Sequence, residues 1–352
     1  SWDYGAIRIW HPDELTYWDD PVIQSFCRFR KSFTLDGVPA AAPLRIFADS
    51  RYQLFVNGTY VCRGPARSDP WWQAVDTLDI LPYLRPGRNV VAVLCLFFGY
   101  GTGQAMPRIQ CFQAECPISL TDQSVFMLKT DSSWLASFAD TFDRKAQRTN
   151  NRQGPIEVFD CRLEDDWTAP DYDDTDWVAA DRSQSNPYTY FVEGALPPLE
   201  EGSLNAGQLW SCGAAPAPAP EGRLSSQVEQ ILSGCSWSRR ELFSGVLEPQ
   251  SAAQIVLADF GRIDTGYAQL ELDGAAGTIV DLVYSEEEPV GQPLLSRMLR
   301  PVDRFVLRDG LQTLEVAFGW KTWRYLVLVV QSPQRALHIK RVGMRTRKYP
   351  KI

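Results

Sequence analysis

Apolar and polar residues alternate with a period of two along much of this chain, which is the spacing of half-buried strands and not of helices. The densest signal runs from 48 to 103. Tyr52-Gln53-Leu54-Phe55-Val56 alternates, Asn57-Gly58 turns it, and Thr59-Tyr60-Val61-Cys62 returns. Asn-Gly between alternating segments predicts a tight hairpin, because both turn positions require positive φ. A polar, Trp-bearing loop at 64–74 follows, then a broken strand at 76–84 and a Pro86-Gly87 turn. Residues 89–98 form a nearly unbroken apolar run. The run is shorter than the roughly 20 residues of a membrane helix and suits a strand buried between two sheets. Upstream, 26–33 alternates apolar with basic residues, and 44–48 reads as a core strand.

The second half repeats the strand signal without repeating the sequence. Ala268, Leu270 and Leu272 alternate with Gln269 and Glu271, residues 273–277 turn the chain, and 278–284 returns with Val280, Leu282 and Tyr284 on one face. Further strands are predicted at 304–307, 314–318 and 324–330. Between the halves, residues 213–220 read Gly-Ala-Ala-Pro-Ala-Pro-Ala-Pro, a composition that favours an extended spacer. One longer helix is predicted within 225–242, where Val228, Ile231 and Leu232 share a face. The 352 residues exceed one ordinary domain. The expected fold class is therefore all-β, with two antiparallel β-sandwich (jelly-roll-like) domains joined by a Pro/Ala-rich linker. The boundaries are 1–199, a linker and strap at 200–240, and 241–352.

Composition narrows the function classes. The 12 Trp, 13 Tyr and 17 Phe fit all-β cores and sugar-facing surfaces alike. A net charge of −8 argues against nucleic acid, which needs a clustered positive face. No apolar stretch is long enough for a membrane helix, and no basic-then-apolar leader opens this stretch, so no membrane partner is expected. Eight cysteines are scattered, and the only tight pair, Cys111 and Cys116, has no zinc-ribbon spacing. With two histidines, no metal or other cofactor is expected. Thiols inside apparent strands behave as small buried hydrophobes and point to a cytoplasmic protein. A leader lying outside this stretch would make it a secreted one instead.

Glycoside hydrolysis needs two carboxylates flanking the scissile bond. Acidic clusters occur at 19–20, 164–166, 171–174 and 286–288, none in a catalytic frame. The Asp173-Asp174-Thr175-Asp176-Trp177 stretch is better read as a turn tied by its own side chains. No Gly-x-Ser-x-Gly occurs, and the glycines of 98–103 lack a following helix and lysine. Sugar binding asks only for a flat aromatic face and polar groups for the hydroxyls. Arg67, Asp69, Trp71 and Trp72 supply those types in one loop, and Tyr100 is expected at the same end. A packing alternative stays open, in which Trp71 or Trp72 plugs the end of the sandwich or packs on a neighbouring domain.

These residues resemble the N-terminal β-sandwich modules of bacterial α-L-rhamnosidases. The first module matches at Phe29-Arg30-Lys31-Ser32-Phe33, Tyr52 to Gly58, Arg63-Gly64-Pro65, Asp76 to Ile80 and Leu84 to Asn89. It matches again at Thr130 to Trp134, Glu157 to Glu164, and Trp167 with Pro170, Asp173, Asp174 and Trp177. The second matches at Asp259-Phe260-Gly261, Gly266-Tyr267, Gly274 to Thr278, Tyr284-Ser285-Glu286 and Trp323-Arg324-Tyr325. The resemblance implies a galactose-binding-like first module and a concanavalin-like second one. It also implies that the catalytic acid and base lie in an (α/α)6 barrel beyond this chain, so no catalytic residue is expected here. The expected role is a non-catalytic accessory region that braces that barrel of the same parent protein and contacts carbohydrate, including rhamnose-containing glycan. The alternative is a free-standing carbohydrate-binding protein. Some family modules bind rhamnose through calcium, for which no residue set is placed in this chain.

Overall fold

The protein is described from a computed structural model that covers residues 4–15, 22–184, 190–193, 199–217, 222–235, 237, 241–289 and 301–350. Strands dominate, as expected, and the described residues divide into two compact units. One unit is drawn from 1–140 and 165–198, the other from 141–164 and 199–352.

In the first unit the strands that build the site are β1 (Ser25–Leu35), β2 (Pro43–Asp49), β3 (Arg51–Val56), β4 (Thr59–Gly64), β5 (Trp72–Asp79), β6 (Gly87–Phe97), β7 (Cys111–Leu120) and β8 (Tyr190–Glu193). One sheet carries the order β1-β6-β3-β4, the other β7-β2-β5-β8. Both feed one core through strict alternation. Phe29 and Phe33 of β1, Leu54 of β3, and Val91 and Val93 of β6 point into it from one sheet. Leu44 and Ile46 of β2, with Phe112 and Ala114 of β7, point into it from the other. Phe29 and Phe112 meet across the core at 5.2 Å between ring centroids. The predicted hairpin forms where the turn chemistry demands it, with Asn57 at φ 50° and Gly58 at φ 80°.

Strand β6 is apolar on both faces because the outer face of its sheet is covered too. Residues 165–177 lie over it. Buried Arg30 donates from Nε to Asp174 at 2.9 Å, and from Nη1 to the carbonyls of Ala169 at 3.1 Å and of Trp167. Trp167 is buried and stacks on Trp177 at 6.2 Å, while Asp173 accepts the Thr175 N–H at 3.1 Å. The acidic, Trp-bearing stretch therefore does structural work.

The second unit departs from the expected plan. Its main elements are β9 (Gln208–Ala215), α1 (Leu224–Ser233), β10 (Ala253–Gly274), β11 (Ile279–Ser285), β12 (Val302–Val306), β13 (Lys321–Gln331) and β14 (Leu337–Lys348). In place of two separate sheets, the described strands join one sheet. The long strand β10 makes the join: its first half pairs with β9 and β13 and its second half with β14, across a register shift between Asp259 and Asp264. Both halves line one core, with Val256 and Ala258 from one and Leu270 and Leu272 from the other. The opposite face is also covered. Ile255, Leu257, Val283, Val327 and Val329 pack with Val228, Ile231 and Leu232 of α1.

The predicted linker at 200–240 instead contains the strand Glu200–Asn205, β9 and α1. Gly213, Ala214 and Ala215 of the Pro/Ala run are strand residues, and 218–220 lie outside the described residues. The helix is shorter than expected, because the Gly234 N–H bonds back to the Ile231 carbonyl at 3.1 Å and closes the last turn. Residues 141–164, assigned by sequence to the first module, belong to the second unit, where Val158–Asp160 adds in parallel to β12. Among the described residues no helix is long and apolar enough to cross a membrane.

Candidate functional site

The first unit carries a shallow polar cleft where the chain passes from one sheet to the other. Strand β2 ends at Asp49, Ser50 links, and β3 begins at Arg51. Buried Asp49 accepts the backbone N–H groups of Arg108 at 2.7 Å and Ile109 at 3.3 Å, and the Ser50 hydroxyl at 3.1 Å. Burial pushes its carboxyl up to about 6, against the pull of those donors and of the Arg8 charge. Buried Arg51 donates from Nη1 to the carbonyls of Ser50 at 3.2 Å and Pro65 at 3.1 Å, and from Nη2 to that of Gln104 at 2.5 Å. One guanidinium thus ties three chain segments into the cleft floor.

The loop between β4 and β5 forms the wall. It leaves β4 at Gly64, where a Cβ would sit 2.1 Å from Asp76 Oδ2 and 2.8 Å from the Tyr52 hydroxyl. Those two groups bond each other at 2.6 Å, so the glycine lets the backbone pass over a closed pair. Asp69 then accepts the Trp71 N–H at 2.8 Å on its side chain and the Trp72 N–H at 3.1 Å on its carbonyl, a turn that sets both indoles at the surface. The cleft is open to solvent and holds only about 20 Å³ of its own, little more than a water molecule needs, and Arg67, Ser68, Asp69, Gln73 and Met106 are among its lining residues.

The structure places the five sequence-predicted residues in three settings. Arg67 and Asp69 line the cleft and are exposed. Trp71 and Trp72 lie outside its lining and are 45% and 55% exposed, so neither plugs the sandwich end, and both are open to a neighbouring domain or a ligand. The Arg108 guanidinium covers one face of Trp71 at 3.7 Å from the centroid. Trp72 stacks on Tyr190 at 4.9 Å and 23°, and Tyr190 is itself 56% exposed. That pair exists because β8 runs parallel to β5 with Tyr190 opposite Trp72. Tyr100 is half-buried, donates its hydroxyl to Gln24 at 2.9 Å, stacks on Phe98 at 6.0 Å, and is not part of the cleft lining. Sequence reasoning missed Asp49, Ser50, Arg51 and Tyr190, and did not single out Gln73 from its loop. Asp49-Ser50-Arg51 carried a signal, being a polar triplet between two apolar strands.

Two buried acids elsewhere are committed to structure. In the second unit, buried Glu157 accepts the backbone N–H groups of Ala317 at 2.6 Å, Phe318 at 2.7 Å and Gly319 at 2.6 Å. Buried Asp303 accepts the Glu157 N–H at 2.9 Å, the Tyr284 hydroxyl at 2.7 Å and Lys321 Nζ at 2.5 Å. Burial, then the Asp303 charge, push the Glu157 carboxyl up, and Lys321 and the amides oppose them. This network clips 157–160 to the sheet. Among the described residues, no group of three or more His, Cys, Asp or Glu side chains could hold a metal ion.

No family model and no curated protein sequence matches this chain. Solved structures do match. The GH78 family rhamnosidase of Bacillus sp. GL1 superposes with a TM-score of 0.82 at 20% identity, over 99% of this chain and 56% of that one. The α-L-rhamnosidase of Dictyoglumus thermophilum gives 0.68 at 18% identity, over 99% and 36%. That of Aspergillus terreus gives 0.67 at 19% identity, over 99% and 36%. The chain spans little more than half the length of the first of these and about a third of the other two. At such identities the likeness is one of fold: over nearly its whole length, this chain is folded like a part of the α-L-rhamnosidases.

Proposed function

We propose that this chain is a non-catalytic accessory region of an α-L-rhamnosidase-like glycoside hydrolase, bracing the catalytic barrel of the parent protein and contacting glycan with the first unit. The observation that carries the reading is the fold match over 99% of the chain to only a part of each rhamnosidase. The state of the acids supports it as well, since Glu157 and Asp303 are buried and saturated by internal donors. Rhamnose release from an aryl rhamnoside by the purified chain would overturn the non-catalytic part.

A second reading, a free-standing carbohydrate-binding protein, is favoured by the exposed Trp72–Tyr190 stack, whose outer faces suit a pyranose ring. Titration with a rhamnose-containing oligosaccharide, followed by Trp fluorescence, tests glycan contact. A saturable change that is lost in Trp72→Ala is expected. No change would leave bracing as the whole role.

A further inference from the structure

We propose that the cleft is a second, separate glycan site that takes the vicinal hydroxyls of a neutral sugar ring edge-on. It rests on the glycan-contacting reading above and deepens it, because the residues concerned are not those of the aromatic stack. Gln73 is the pivot. It lines the cleft, its residue is only 5% exposed, and its side-chain amide makes no hydrogen bond among the described residues. Its polar atoms are not among the fully buried ones that lack a partner, so they open into the cleft, where water or a ligand completes them. Arg67 and Ser68 beside it are likewise uncommitted, and Asp69 uses one carboxylate oxygen for the Trp71 N–H.

The chemistry of the lining selects the ligand. Two guanidinium groups, Arg51 and Arg67, are balanced by two carboxyl groups, Asp49 and Asp69. An anion would face both acids, and a cation both arginines. The Gln73 amide offers a carbonyl that must accept and an NH2 that must donate. A hydroxyl both donates and accepts, and two on adjacent carbons can bridge the amide to Arg67 on one side and to a carboxylate on the other. Most of Arg51 is already bound to backbone carbonyls, so Arg67 is the guanidinium left for a ligand. A cleft this small takes hydroxyls and not a whole ring, and the aromatic face is offered elsewhere, by Trp72 and Tyr190.

The test is a titration of the full chain with methyl α-L-rhamnopyranoside and, separately, with inorganic phosphate, read by proton–nitrogen NMR of the glutamine side-chain amides. The Gln73 pair is assigned by its loss in Gln73→Ala. The glycoside should shift that pair saturably, and phosphate should not. Arg67→Ala should weaken the glycoside titration about tenfold or more, the worth of one charge-assisted hydrogen bond. Trp72→Ala should leave it within about twofold, as expected for a site outside the stack. Arg67 is exposed, so its variant tests the proposal even if the buried Gln73→Ala fails to fold. A motionless Gln73 amide, an equal response to phosphate, or an unchanged affinity in Arg67→Ala would overturn the cleft. In each of those cases a fluorescence change lost in Trp72→Ala would still stand, so the two readings fail separately.

Discussion

Replacing Asp49 with Asn should stabilise the first unit at neutral pH, and the gain should fade in acid. Asp49 titrates at about 6 in the folded chain against an ordinary value of 3.8. The fold therefore holds its proton more tightly than the unfolded chain does. A raised acid favours the fold at low pH, and that contribution is lost as pH rises from about 4 through about 6. A shift of about two units is worth roughly 3 kcal/mol in all, of which about 2 kcal/mol falls between about pH 4 and pH 7. The groups facing the carboxyl are the Ser50 hydroxyl, the Arg108 and Ile109 amides, the Arg8 and Cys111 side chains, and Arg51, Arg67 and Asp69 across the cleft. Cys111 is pushed up to about 12 by burial and stays neutral throughout. Asparagine keeps one acceptor for the two amides and can donate to Ser50, so the variant removes the titration with little loss of bonding. The measurement is urea unfolding of both proteins from about pH 4 to pH 8. The stability difference, D49N minus wild type, should grow by about 2 kcal/mol over that range. Carboxyls held low by partners, such as Asp259 beside Arg324, pull the opposite way but cancel in the difference. A pH-independent difference would refute the claim that burial dominates at Asp49.

Two further substitutions probe the frame. Gly64→Ala would drive a methyl into the Tyr52–Asp76 pair and should cost about 1–3 kcal/mol in urea unfolding, with altered Trp fluorescence as the 65–71 loop shifts. Lys321→Met removes the cation from the buried Glu157–Asp303 cluster and should cost about 3–5 kcal/mol, with faster proteolysis within 141–164. A Lys321→Met protein of unchanged stability would mean that the cluster does not clip that segment.

Local chemistry was legible in the sequence and distant pairing was not. The Asn57-Gly58 turn and the 89–98 core strand were readable because turn geometry and apolar runs act over a few residues. The one-sheet second unit was not readable, because β10 changes partners along its length and only the fold decides which strands arrive. Residues 141–164 gave no local sign of their unit, since Glu157 is held by amides of 317–319. At the candidate site, Arg67 and Asp69 shared a loop with the indoles and could be picked by type. Gln73 was read as the end of that loop, whereas it lies in β5 and lines the cleft. Tyr100 lies outside the cleft lining with its hydroxyl on Gln24, a contact that spacing does not reveal.

The proposed accessory role requires that these two β-rich units lack a working acid pair of their own. It is tested most directly by incubating the purified 352-residue chain, at high concentration and over long times, with an aryl α-L-rhamnoside. Release should be no faster than in buffer, with Glu157→Gln and Asp303→Asn proteins indistinguishable from the parent chain. Release that scales with chain concentration and falls in either variant would contradict it.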